Sequence, residues 1–227
     1  MILYRYFKGK YGLQALQEGR VRVSRLLDLN DPMDCRPTLV NTPARMSPAE
    51  QREVLQKSLG DFNDMAGMHC FSESIADPVI WSHYADRHQG MALGFEFPAD
   101  FPVFPVSYPE NENRPAVDFE ELGKFNRPEE TAELYDLVRR CFTVKAKSWK
   151  YEAEHRAFVY LHGKSCKIVG RDFFAPLPIH SLKLVILGAK SPISVSEVES
   201  SKTGWEYAQG VRVSRAVMDD NSFRLIT

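Results

Sequence analysis

A chain of 227 residues with 44% hydrophobic and 26% charged residues has enough apolar surface to bury a core, which excludes global disorder. A formal net charge of −1 excludes a global pull toward nucleic acid and leaves only local basic patches for that purpose. No apolar run approaches the roughly 18 residues that a membrane-spanning helix needs. The start, Met1-Ile2-Leu3-Tyr4-Arg5, lacks the basic and long apolar segments of an export signal, so a cytoplasmic protein is expected. The scattered Cys35, Cys70, Cys141 and Cys166 are then expected as free thiols without metal-ligand spacing.

Residues 2–7, rich in β-formers, predict a strand. A short helix follows, with Leu13 and Leu16 on one face and Gly19 as its C-cap, and then a second strand over Val21–Ser24. Asn30-Asp31-Pro32 is turn chemistry. Ser47-Pro48-Ala49-Glu50 reads as a helix start, with Leu55, Leu59 and Phe62 as the apolar stripe. A strand over 67–72 ends at Ser72, a short helix runs from about Asp77 to Ala85, and Gly90 precedes a strand over Met91–Phe97. Prolines 98, 102, 105, 109 and 115 mark an irregular region. A helix near 129–141 carries Glu129 and Glu130 early and Arg139 and Arg140 late, as its dipole favours. Strands are expected near 152–161, 166–175, 182–187, 211–217 and 222–226. With helices concentrated in the first two thirds and no linker or repeat, the chain reads as one α+β domain over 1–227.

Four clusters carry chemistry. Arg5 lies between Tyr4 and Tyr6 in a strand, where a permanent cation is either a structural ion-pair partner or a fork for a ligand phosphate or carboxylate. Cys70-Phe71-Ser72-Glu73-Ser74 places two hydroxyls on one strand face; they either orient a sugar or amide, or cap the next turn. Trp81, Tyr84 and His88 share one side of a helix, as a core stripe or as rings for stacking; His83 and His88 lack the i, i+4 spacing of a helical metal pair, so no metal is expected. Glu152, Glu154 and Arg156 alternate along a strand, either as a solvated face or as paired carboxylates with one raised pKa. Lys145, Lys147 and Lys150 form a small basic run.

Leu3-Tyr4-Arg5-Tyr6, Leu29-Asn30-Asp31-Pro32, Cys70-Phe71-Ser72, Trp81-Ser82-His83-Tyr84-Ala85, His88-Gln89-Gly90, Trp149 to Arg156 and Val185-Ile186-Leu187-Gly188 together resemble a bacterial family catalogued as domain of unknown function family 2971. Similar proteins occur near abortive-infection and phage-defence genes. A more distant resemblance is to ADP-ribosyltransferases of the arginine–serine–glutamate class. Arg5, Ser72 with Ser74, and Glu152-x-Glu154 match that class's three elements in type and order, with Ser72-Glu73-Ser74 in place of its Ser-Thr-Ser. The resemblance implies an α+β, mostly antiparallel split sheet with flanking helices, and NAD as substrate. Glu154 would stabilise an oxocarbenium-like state, Glu152 would activate the acceptor, Arg5 would grip the diphosphate, and Ser72 and Ser74 would fix the ribose. Trp81 or Tyr84 would stack on nicotinamide. The acceptor stays open between protein, nucleic acid and small molecule. Two alternatives stand beside this: a non-catalytic binding module of a defence system contacting nucleic acid or a partner protein, and a hydrolase of a nucleotide-like ligand.

Overall fold

The computed structural model describes residues 1–126, 132–178, 180–205 and 210–226. Strand β1 (Leu3–Phe7) leads into helix α1 (Gly9–Glu18). The helix stops at Gly19, whose φ of +64° is open to glycine and whose missing Cβ admits the Gly204 carbonyl; a Cβ would lie 2.0 Å from that oxygen. Strand β2 (Arg20–Val23) follows, then a 3₁₀ turn over Leu26–Asp28 and strand β3 (Thr38–Val40). Helix α2 (Pro48–Met65) starts with a capping box in which the Ser47 hydroxyl accepts from the Glu50 amide while Glu50 reaches back to the Ser47 amide. It delivers the chain into β4 (Ala66–Ser72). Helix α3 (Pro78–Tyr84) is capped by the Asp77 carboxylate and precedes β5 (Met91–Phe95).

The proline-rich stretch contains β6 (Phe104–Pro105) and β7 (Ala116–Asp118) before helix α4 (Ala132–Phe142). Arg139 and Arg140 sit in the last turn of α4 as expected; Glu129 and Glu130 lie outside the described residues. Strand β8 (Glu154–Tyr160) emerges from a 3₁₀ turn over Lys147–Glu152. The expected strand over 166–175 is two strands, β9 (Lys167–Val169) and β10 (Asp172–Pro176), because Gly170 at φ +63° turns the chain back. Strand β11 (Leu182–Leu187) matches its expected bounds. Helix α5 (Val195–Ser201) was not expected, and its Ser194–Glu197 capping box repeats the signal that starts α2. Strands β12 (Arg212–Arg215), β13 (Val217–Met218) and β14 (Leu225–Ile226) complete the described chain.

A seven-stranded sheet runs in the order β12-β11-β5-β1-β4-β8-β6, with only the β11–β12 pair parallel. With its flanking helices this is an α+β arrangement on a mostly antiparallel sheet. Side-chain alternation gives the sheet two apolar faces. Met91, Leu93, Phe95, Val185 and Leu187 pack under α1 and α5 with Leu16, Val198 and Trp205. On the other face, Ala92 and Ile186 meet Trp81 and Ala85 at α3. Met68 on that face packs with Leu59, Phe62, Leu137 and Phe142 of α2 and α4.

The sheet is nearly parted in its middle. Strands β1 and β5 pair along five residues, but β1 and β4 pair only at Tyr4↔Ser72. Past that point the two strands separate, and Ser24, just beyond β2, bridges to Met68 of β4 instead. This split positions the site.

Candidate functional site

Strands that splay apart leave backbone and side-chain polar groups to be satisfied by something other than a ladder. Here Arg5 does this: one guanidinium nitrogen donates to His69 Nδ1 at 2.8 Å across the gap, the other to the Arg22 carbonyl at 2.5 Å. Among the described residues no carboxylate pairs with Arg5. Withdrawal from water lowers the half-buried guanidinium to about 10, and neighbouring Arg22 pushes it the same way. His69 is pushed well below its ordinary value by burial and then by Arg5, so it is neutral and accepts through Nδ1.

Beside the split lies a cleft of ≈ 260 Å³. Its walls include Arg5, Ser72, Tyr84, Lys145, Glu152 and Glu154. Asp34, Lys145, Glu152 and Glu154 of its lining are buried, and the buried Arg156 pairs with Asp34 and Glu154 behind them. Arg156 is 0% exposed. Its Nε donates to Glu154 Oε1 at 2.7 Å, and Nη2 donates to Glu154 Oε2 at 2.9 Å and to Asp34 Oδ2 at 2.6 Å. Nη1 reaches Asp34 Oδ1 at 3.0 Å and the Phe142 carbonyl at 2.8 Å. The Lys145 ammonium sits 2.5 Å from Glu152 Oε2, 3.1 Å from Glu154 Oε2 and 3.6 Å from Asp34 Oδ2, above the Trp149 ring. Buried charges survive only when paired this fully.

The two glutamates are shifted in opposite directions. Burial alone pushes Glu154 up, but Arg156 and then Lys145 outweigh it and hold the carboxyl at about 2. Burial of Glu152 prevails over Lys145 and the Tyr84 hydroxyl, so that carboxyl is raised. Tyr84 donates to Glu152 Oε1 at 2.5 Å and accepts from Asn30 Nδ2 at 2.9 Å. Burial raises the Tyr84 phenol, and Glu152 adds to the rise, so the phenol is neutral. Two carboxylates with separated pKa values divide the work of a fixed charge and a proton acceptor.

Several sequence expectations need correction. Glu152, Glu154 and Arg156 do not share a strand face, because Glu152 closes the 3₁₀ turn before β8. Ala153 at φ +42° kinks the chain so that Glu152 meets Lys145 from another direction. The Ser72 hydroxyl donates to the Glu152 carbonyl at 2.5 Å and accepts from the Ser74 amide at 3.0 Å, so it locks two loops together. Ser74 lies beyond the end of β4, and its carbonyl accepts from the Tyr6 hydroxyl; it does not share a strand face with Ser72. Trp81, 0% exposed, packs edge-on to Tyr6 with centroids 5.1 Å apart and stacks on His88; it is core and presents no face to the cleft. Lys145, Lys147 and Lys150 are not a basic patch: Lys145 is buried among the acids and Lys147 pairs with Glu110.

Sequence reasoning passed over Asp34, although Asn30-Asp31-Pro32 was read as a turn. No local pattern links Asp34 to Arg156, 122 positions away. Among the described residues no group of three or more His, Cys, Asp or Glu side chains is arranged to hold a metal ion. No described helix is long and apolar enough to cross a membrane.

Residues 80–157 match a family model described as "Protein of unknown function (DUF2971)". The match takes in Tyr84, Lys145, Glu152, Glu154 and Arg156, and leaves Arg5, Asp34 and Ser72 outside it. No curated protein and no solved structure matches the chain.

Proposed function

We propose that the chain cleaves the bond between ribose and a cationic base, as an NAD-dependent ADP-ribosyltransferase does. The observation that carries this reading is the convergence of Arg5, Tyr84, Glu152 and Glu154 on one cleft, from segments far apart in sequence. A split antiparallel sheet with Arg5 on its first strand and Glu154 opening a late one supports the ADP-ribosyltransferase-like fold that the motifs imply. Three buried carboxylates against two cations leave the acid cluster an excess of negative charge.

In this reaction the ribose C1′–N bond breaks and its electron pair goes to the pyridine nitrogen, cancelling the charge of nicotinamide. Positive charge then develops on the ribose, as in glycoside cleavage. Glu154, held ionised, supplies fixed negative potential beside it. The acceptor's lone pair forms the new bond to C1′, and its proton passes to Glu152, whose raised pKa makes it a stronger base than a free carboxylate. Arg5 faces the phosphates.

The test is nicotinamide release from NAD, followed by chromatography, with transfer of labelled ADP-ribose onto lysate. Glu152→Gln is expected to lower turnover by about 10²–10³ while NAD binding persists. Glu154→Gln abolishes turnover and also weakens the fold, because Arg156 loses a partner. The competing reading, a non-catalytic binding module, is favoured by one fact: both Glu154 oxygens and the Ser72 hydroxyl are already bonded within the protein. A folded wild type that releases no nicotinamide with varied acceptors would establish that reading.

A further inference from the structure

The acid-lined cleft does not end at Arg5. A second cavity of ≈ 200 Å³ shares Arg5, Tyr6 and Tyr84 with it. The two differ in sign. The first is walled by Asp28, Asp34, Glu152 and Glu154 against Arg5 and Lys145. The second is walled by Arg5, Lys8, Arg20 and Arg22 against Asp172. Asp172 is engaged by Arg22 at 2.7 Å. Among the described residues no carboxylate pairs with Arg5, Lys8 or Arg20.

Helix α1 begins at this cavity. Its N-cap is Lys8, whose side chain makes no capping bond, and its first turn holds no acidic residue. The positive end of a helix normally attracts Asp or Glu; here the sequence places Lys8 and Lys10 there instead. Two rings flank the cations: Tyr11, 50% exposed with the Lys10 ammonium 4.7 Å from its centre, and the half-buried Phe174. Small-molecule sites run from about 300 to 1,000 Å³. Neither cavity reaches that size alone, and Arg5, Tyr6 and Tyr84 line both.

We propose that the second cavity is a subsite for the nucleoside diphosphate part of the ligand, with the phosphates on Arg5, Lys8 and Arg20 and the base against Tyr11 and Phe174. One ligand then spans both cavities, its charged phosphates on the basic side and its sugar and leaving base on the acidic side. This assignment rests on the N-ribosyl reading for the acidic half, but the basic half stands on its own cations and is testable apart from turnover.

The experiment is calorimetric titration of the full chain with ADP, AMP, inorganic pyrophosphate and a single-stranded oligonucleotide. ADP is expected to bind saturably, more tightly than AMP or pyrophosphate, and more weakly as salt rises. Lys8→Ala with Arg20→Ala is expected to weaken ADP about tenfold or more, the size of one or more lost charge-assisted hydrogen bonds. Tyr11→Ala is expected to weaken ADP while leaving pyrophosphate unchanged, and circular dichroism checks that each variant folds. Absence of saturable ADP binding, ADP binding indifferent to the Lys8 and Arg20 changes, or an oligonucleotide that outcompetes ADP would each overturn the subsite. ADP binding by a protein that releases no nicotinamide would keep the subsite and remove the N-ribosyl reading. Turnover with a KM for NAD untouched by Lys8→Ala with Arg20→Ala would do the reverse.

Discussion

Arg156 is the residue on which the carboxylates depend. It holds both Asp34 and Glu154 by two-pronged hydrogen bonds, and it has no exposed surface through which water could replace it. Arg156→Met keeps much of the volume but leaves two buried anions with Lys145 as their only cation among the described residues. Breaking one side of a buried ion cluster costs about 3–5 kcal/mol. The urea midpoint is expected to fall accordingly; a loss under about 1 kcal/mol would mean that Asp34 and Glu154 find water or other donors. Ala153 presents the opposite case. Its left-handed conformation (φ +42°, ψ +52°) is disfavoured for an L-residue by about 1–2 kcal/mol. Glycine there removes the strain and adds freedom to the unfolded chain, so Ala153→Gly is expected to stabilise by up to about 1 kcal/mol. A thermal scan reads this, and a loss of more than about 0.5 kcal/mol would show that the methyl group's packing outweighs its backbone cost.

Helix α3 carries Tyr84 into the cleft, and its exit is unusual. Asp86, Arg87 and His88 are all left-handed, with φ of +49°, +55° and +70°. The turn is fastened to the segment after β11 by the Lys190 amide, which donates to the His88 carbonyl at 3.0 Å. It also needs a bare Gly188, where a Cβ would stand 2.2 Å from that same oxygen. Gly188→Ala is expected to cost about 1–3 kcal/mol by overpacking and to loosen the Tyr84–Glu152 contact. The melting temperature checks the first effect, and the tyrosine signal in near-ultraviolet circular dichroism checks the second. None of this turn was legible in the sequence, because none of its three left-handed positions is a glycine. Elements whose signals are local fared better. The Ser47 cap, the α2 stripe, the start of α3 near Asp77 and β11 follow from neighbouring residues, whereas α5 went unexpected although it carries the same Ser-x-x-Glu signal as α2. Strands β3 and β7 carry no comparable signal, since each is three residues long and, among the described residues, pairs only with the other.

At the scale of the whole molecule, chemistry-bearing residue types were legible and their partners were not. Arg5 is marked by charge within an apolar and aromatic strand and the Glu-x-Glu pair by its alternation, whereas Lys145 looked like part of a solvated run and Asp34 carried no signal. Only the fold brings β1, the loop before β3, the segment after α4 and the start of β8 to one place. The cluster's balance is therefore a property of the assembled sheet, and acid reads it out. Glu154 has its folded pKa held near 2, below the ordinary 4.5. Its contribution is fully present above 4.5 and is lost as pH falls toward 2. Glu152 has the opposite sign, being raised in the fold: it contributes stability below 4.5 that is lost as pH rises through its folded value. Lys145 opposes that rise, so Lys145→Met pushes Glu152 further up, leaves Asp34 and Glu154 on Arg156, and leaves Glu152 with no cationic partner among the described residues. The variant is expected to be destabilised by about 3–5 kcal/mol at neutral pH. Protonating Glu152 removes one of the unbalanced charges, so the gap to wild type narrows on acidification. Urea unfolding of both proteins at about pH 8 and about pH 5 measures it. A gap of the same size at both would show that Glu152 is not the group that Lys145 holds ionised.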